Sequence, residues 1–191
     1  MKQRWDEHNK PSGLLNITIN DIIFDTSDKV KHNILKVCNE CSYNGFIKNK
    51  EFASLLNAKT GEPLEKCHLL EGKKDEVDIS KWEMLLKNNQ PFSLIIIHNH
   101  TIETLFSFDD LYTFISHISL RASIVTAGEF AYIIEKSEMS ELNWELIEQE
   151  FINQFPGENH FKTDDEWDIN KLADFWKIVL KEFHIDFRRW A

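Results

Sequence analysis

Two histidines one residue apart, His98 and His100, close the apolar run "FSLIIIH" and the residue that follows it, and Ser107 and Asp110 come shortly after. On an extended strand, side chains two apart project from the same face, so both imidazoles can address one point. A carboxylate opening the next helix lies close enough in sequence to fold back over the strand end as a third ligand. Two histidines and one carboxylate leave a tetrahedral zinc ion with an open fourth position, the arrangement of catalytic rather than structural sites. An ion held this way lowers the pKa of a bound water to about 7. His98, His100 and Asp110 are therefore the expected metal ligands and Zn2+ the expected cofactor.

The same residues also read as helix chemistry. Ser107-Phe108-Asp109-Asp110 has the serine-x-x-acid spacing of a capping box. Capping and ligation are compatible, because different oxygens can serve each. Asp109 is the rival acid, and Asp110 is preferred because it completes that spacing. The contiguous letters "HNH" imitate a nuclease motif whose residues are dispersed in the proteins that carry it. "CNEC" at 38–41, with Cys67-His68 later, imitates the spacing of a zinc knuckle. Cys41, however, shares an apolar helical stripe with Val30, Ile34 and Val37, so these thiols are read as small buried hydrophobes.

The elements that must bring the histidines and the acid together follow from periodicity. A helix is expected from Thr26 or Ser27 to about Tyr43. "EFASLLNA" and "PLEKCHLL" read as strands joined by the turn "KTGE", and "EGKKDEV" as a solvated loop. "SKWEMLLKN" reads as a short helix capped by Ser80. "FSLIIIH", short and β-branched, reads as a central strand. A helix follows from about Phe108 to Ile118, with Leu111, Phe114, Ile115 and Ile118 inward. "ASIVTA" and "FAYIIEK" pair across a turn at Gly128. Upstream, "LLNITIN" and "DIIF" read as extended. Two amphipathic helices, about 140–153 and 169–183, flank the polar linker "PGENHFKTDDEWD". In the second of them, Leu172, Trp176, Val179 and Phe183 form a packing stripe. The expected class is α/β (α+β): a mixed central β-sheet flanked by helices, with extra N-terminal and C-terminal helices. One domain is expected over 1–191, its core at about 27–136 and a helical extension at 140–191.

Composition narrows the partners. The hydrophobic share of 42% supports a packed core. A net charge of −10 lacks the basic footprint that nucleic-acid phosphates require, so no nucleic-acid partner is expected. It suits a neutral or basic polypeptide. The first fifteen residues are polar and carry no export signal, and no apolar run approaches the roughly 20 residues that span a bilayer. Three cysteines without a scaffold pattern fit a reducing compartment. The expectation is a cytoplasmic protein with no membrane partner.

The string His98-x-His100, six residues, Ser107-x-x-Asp110 after an apolar strand resembles the metal motif of the JAB/MPN (JAMM) metalloprotease family, in its prokaryotic or phage-associated form. The resemblance covers about residues 49–136, including "ASIVTAGEFAYIIEK" as the strand pair that completes the sheet. It implies a cytidine-deaminase-like JAB/MPN architecture and zinc-dependent hydrolysis of a peptide or isopeptide bond. The implied substrate is a polypeptide or a ubiquitin-like conjugate. It also implies that Glu51, opening "EFASLLNAKTG", takes the proton of the attacking water and passes it to the leaving amine. Ser107 would donate a hydrogen bond to the oxyanion or the water. The chain departs from the family in having Thr101 where proline is usual and in a stretch between His100 and Ser107 one residue shorter than the commonest form. Both departures fall on the substrate-facing loop. Two other readings stand beside this one: a catalytically silent MPN-type scaffold or interaction module, and the JAB domain of a phage-related or toxin-like polypeptide.

Overall fold

A computed structural model describes residues 25–102, 104–136, 144–154, 169–182 and 184–190. The expected extended stretch at 14–24, the linker at 156–168 and Phe183 lie outside the described residues. Helix α1 (Asp28–Lys48) leads to β1 (Phe52–Asn57) and the short β2 (Leu70–Glu71). A single 3-10 turn (Ser80–Trp82) runs into α2 (Glu83–Asn88), followed by β3 (Leu94–Asn99), α3 (Phe108–Ser116), β4 (Leu120–Ala127) and β5 (Phe130–Lys136). Then come α4 (Trp144–Gln154), α5 (Ile169–Glu182) and β6 (Ile185–Trp190).

The strands form one mixed sheet in the order β2-β1-β3-β4-β5-β6. β3 and β4 are parallel and every other neighbouring pair is antiparallel. A parallel pair needs a crossover, and α3 supplies it. All of β3 is buried, which explains an apolar run without alternation. Its two faces serve two cores. Ile95 and Ile97 pack with Val30, Ile34, Val37, Cys38 and Cys41 of α1. Leu94 and Ile96 pack on the opposite face with Leu111 and Phe114 of α3 and with Phe175, Trp176 and Leu180 of α5. Strand alternation places His98 on this second face, above α3.

Several elements differ from expectation, for local physical reasons. α1 continues past Tyr43 to Lys48 and stops where Asn49 turns left-handed at φ 52°. "PLEKCHLL" is not a full strand: Lys66 and Leu69 take positive φ, leaving only β2 and an isolated bridge between Leu56 and Pro63. Ser80 opens the 3-10 turn without a side-chain cap, its own N–H instead donating to the Asp78 carboxylate at 2.9 Å. Ile118 is exposed, because α3 ends at Ser116 and the chain there has left the helical phase. The final residues, expected as the end of a helical extension, form β6, which pairs with β5 from Ile185 to Trp190.

α3 is anchored at both ends. Lys136, buried at the end of β5, donates from Nζ to the Phe114 carbonyl and to the His117 carbonyl at 3.0 Å. A cation there satisfies the Phe114 carbonyl, which the helix end leaves unpaired, adds to the bond the His117 carbonyl accepts from the Leu120 N–H, and complements the helix dipole. No described helix is long and apolar enough to cross a membrane.

Candidate metal centre

The histidines stay tied to the sheet to its rim. His98 is the next-to-last residue of β3, and His100 extends the ladder by donating its backbone N–H to the Thr126 carbonyl at 2.9 Å. The chain then crosses to α3, whose first turn is fixed by Ser107. The Ser107 hydroxyl accepts from the Asp110 N–H at 3.1 Å, and the Asp110 carboxylate accepts from the Ser107 N–H at 2.8 Å, so the capping box is closed in both directions. That closure turns the Asp110 side chain back toward β3. Asp109, one residue earlier, is exposed and stands apart from the histidines.

Three donor groups converge there. His98 Nε2 lies 3.1 Å from His100 Nε2 and 3.0 Å from Asp110 Oδ1, and His100 Nε2 lies 3.4 Å from Asp110 Oδ2. Metal bonds of about 2.0–2.1 Å at tetrahedral angles set neighbouring ligand atoms about 3.3 Å apart, close to the separations of His98 Nε2 from Asp110 Oδ1 and from His100 Nε2, and one ligand atom from each of the three residues lies within 4.8 Å of the others. Hydrogen bonding alone serves it poorly. Two protonated Nε2 atoms would point N–H at N–H across 3.1 Å, and an unprotonated one would set its lone pair against the carboxylate. A divalent cation satisfies all three contacts. This is the one such group of three or more potential ligands among the described residues.

The surroundings support the same orientation. His100 Nδ1 is 2.6 Å from the hydroxyl of buried Thr104. A partner on Nδ1 fixes the ring and leaves Nε2 for an ion. Asp110 Oδ2 takes a second hydrogen bond from the Ser107 hydroxyl at 2.7 Å, which leaves Oδ1 for the centre. Burial works against the Asp110 charge. The charges of His98 and His100, and their hydrogen bonds, outweigh it and hold this carboxyl well below the usual carboxylate range.

Glu51 enters from β1. The last β1–β3 pair is Ala53 with His98, and carrying that register two residues further sets Glu51 across from His100. Opposed residues in an antiparallel pair share a face, so Glu51 faces the site. It is 8% exposed, and its carboxyl makes no hydrogen bond among the described residues. Burial raises its pKa to about 7, with nearby His100 pulling down and Asp110, Asp75 and Glu76 pushing up. Glu51, His100, Ser107, Asp109 and Asp110 line one cleft of about 290 Å³, with Asp75 and Glu76 at its edge. A buried carboxyl titrating near neutrality beside a three-ligand cluster can exchange a proton with a bound water or substrate.

The structure thus brings His100, Asp110, Ser107 and Glu51 to one cleft, sets His98 against His100 and Asp110, and leaves the decoys outside. Cys38 and Cys41 are buried under α1, where burial pushes the Cys41 thiol up to about 12. His68 pairs with Glu40 at 2.8 Å on the surface. Sequence reasoning passed over Thr104 and Asn99. The signals were a hydroxyl four residues beyond His100 and the amide between the two histidines. Compared with known proteins, the chain matches no family model, no curated protein and no solved structure.

Proposed function

We propose that this protein is a zinc-dependent metallopeptidase or isopeptidase of the JAMM type. The observation that carries the reading is the convergence of His98 Nε2, His100 Nε2 and the Asp110 carboxylate, two of which line a cleft that also holds buried Glu51. His98, His100 and Asp110 would hold a zinc ion, which would supply Lewis acidity toward a carbonyl and toward a water whose pKa it would bring to about 7. Glu51 accepts the proton of the attacking water and delivers it to the leaving amine. One carboxyl can do both because its affinity for protons, near pH 7, is matched to the working range. Ser107 lines the cleft and holds Asp110 in place; once substrate is bound its hydroxyl proton turns from Asp110 Oδ2 to the oxyanion, and the Ser107 N–H keeps its bond to that carboxylate oxygen. The substrate is a polypeptide or a ubiquitin-like conjugate, as the JAMM resemblance implies.

Two measurements test this. Protein purified without added metal is expected to carry about one zinc per chain by elemental analysis, and the His98→Ala/His100→Ala double variant to carry none. A folded wild-type protein with no zinc, and none acquired on titration, overturns the reading. On a panel of peptides and ubiquitin-like conjugates, with and without chelator, Glu51→Gln is expected to keep its zinc and lose turnover by about 10²-fold or more. Undiminished turnover in Glu51→Gln removes Glu51 from the chemistry.

A further inference from the structure

We propose that Asn99 is a positioning residue for Glu51: its side-chain amide clamps the backbone on both sides of that glutamate and holds it against the metal-bearing strand. This rests on the assignment of Glu51 as the proton carrier.

The chain before β1 has little regular structure of its own. α1 ends at Lys48, Asn49 turns left-handed, and the β1–β3 ladder begins only at Ala53. Between them, Lys50 and Glu51, with Phe52 at the head of β1, overhang the last β1–β3 pair. Continuing the register sets Phe52 across from Asn99. The Asn99 side chain takes over there: Oδ1 accepts from the Phe52 N–H at 2.8 Å, and Nδ2 donates to the Lys50 carbonyl at 3.2 Å. The partners fix the orientation of the amide, because a backbone N–H can only donate and a carbonyl can only accept. Glu51 is the one residue between the two clamped positions. Its backbone is held from the other side by loop 72–73, through Glu51 N–H to the Lys73 carbonyl at 2.7 Å and Gly72 N–H to the Glu51 carbonyl at 2.9 Å.

Helix α1 makes room for the clamp. Asn99 is 2% exposed and lies directly under Gly45, where an added Cβ would stand 2.1 Å from Asn99 Nδ2. A fixed carbon frame carrying one donor and one acceptor is what Asn supplies at this length. Aspartate lacks the donor and serine the reach. Asn99 also sits between His98 and His100, so the same three residues that present two ligands set the location of the base. A displacement of about 1 Å in a reacting group is enough to cost 10²-fold in rate, which gives the clamp kinetic weight without any contact to substrate.

The experiment uses zinc-loaded full-length chain: wild type, Asn99→Ala, the isosteric Asn99→Asp, and Val37→Ala as a core variant on α1 remote from the clamp. Zinc content, amide hydrogen exchange at Phe52, and kcat and KM on whichever panel peptide the wild type cleaves are measured for each. Asn99→Ala is expected to keep about one zinc, to speed Phe52 exchange at least about tenfold, and to lower kcat about 10- to 100-fold with KM within about twofold. Asn99→Asp keeps the acceptor for Phe52 and loses the donor to Lys50, so its Phe52 exchange stays slow while kcat falls about three- to tenfold. It carries the test if Asn99→Ala does not fold. Val37→Ala loses stability and keeps its kcat. Wild-type kcat in both Asn99 variants, or an equal loss of kcat in Val37→Ala, overturns the clamp. A wild-type protein that holds zinc and cleaves nothing on the panel overturns the hydrolase reading instead.

Discussion

Glu51 and Asp110 are carboxyls in one cleft with opposite environments. Asp110 has two imidazoles and two donors from Ser107, whereas Glu51 has burial and like charges. In the metal-free protein their pH linkage therefore has opposite signs. The folded-state pKa of Glu51, about 7, is above its ordinary 4.5, so the folded state binds more protons across that window. Wild type should lose stability relative to Glu51→Gln as pH rises from about 4.5 to 7, by on the order of 2–3 kcal/mol, and change little above it. Asp110, depressed, contributes stability above its ordinary 3.8 that is lost as pH falls through its lowered folded value. Urea unfolding of chelated wild type and Glu51→Gln at several pH values checks the first effect, and a flat difference between them refutes it. Of these residues, the four in the metal string were legible because strand alternation and helix capping are local rules. Glu51 came only through a resemblance. What places it opposite His100 is a long-range strand register, and no local pattern records that pairing.

Elements were legible where burial imposed a period and illegible where a few dihedrals decided the outcome. α1, β1, β3 and the β4–β5 hairpin follow from stripes and apolar runs. The failure of "PLEKCHLL" turns on positive φ at Lys66 and Leu69, neither of them a glycine. β6 was hidden because "IDFRRW" follows a helix and carries adjacent arginines. Its alternation is visible once paired: Ile185 is buried, Asp186 exposed and Phe187 half-buried. α1 also shows packing reversing a propensity. Replacing a glycine inside a helix by alanine ordinarily stabilises by about 1 kcal/mol. At Gly45 the added carbon would meet Asn99 Nδ2, Cγ and Oδ1 at 2.1, 2.5 and 2.9 Å, and that side chain is bonded on both sides. Gly45→Ala is therefore expected to destabilise, by about 1–3 kcal/mol, as a lowered midpoint in thermal or urea unfolding. An unchanged or raised midpoint would show that α1 can shift away freely.

At the scale of the whole molecule, the two faces of the sheet have different tasks. The α1 face is an apolar layer closed at its rim by the Asn99 amide, and the α3 face joins the histidine–aspartate cluster to α5. Trp176 of α5 is 1% exposed and meets Phe108, the first residue of α3, edge to face at 5.4 Å. α5 thus packs behind the turn that presents Asp110, a role that composition could not reveal. Trp176→Ala is expected to cost about 3–5 kcal/mol in a single cooperative unfolding transition that, in protein loaded with zinc as proposed, also releases the metal. A separate, earlier transition that leaves the zinc bound would show α5 to be dispensable to the centre. The antiparallel meeting of β1 and β3 has a further consequence for how this cleft can be lost. His98 and His100 leave the sheet on β3 while Glu51 arrives on β1, so their agreement depends on counting residues along the shared edge. Insert or delete a single amino acid within Ala53–Asn57 and Glu51 rotates to the opposite surface of the sheet. On the proposed hydrolase reading, the histidine–aspartate cluster would survive such a change and turnover would not.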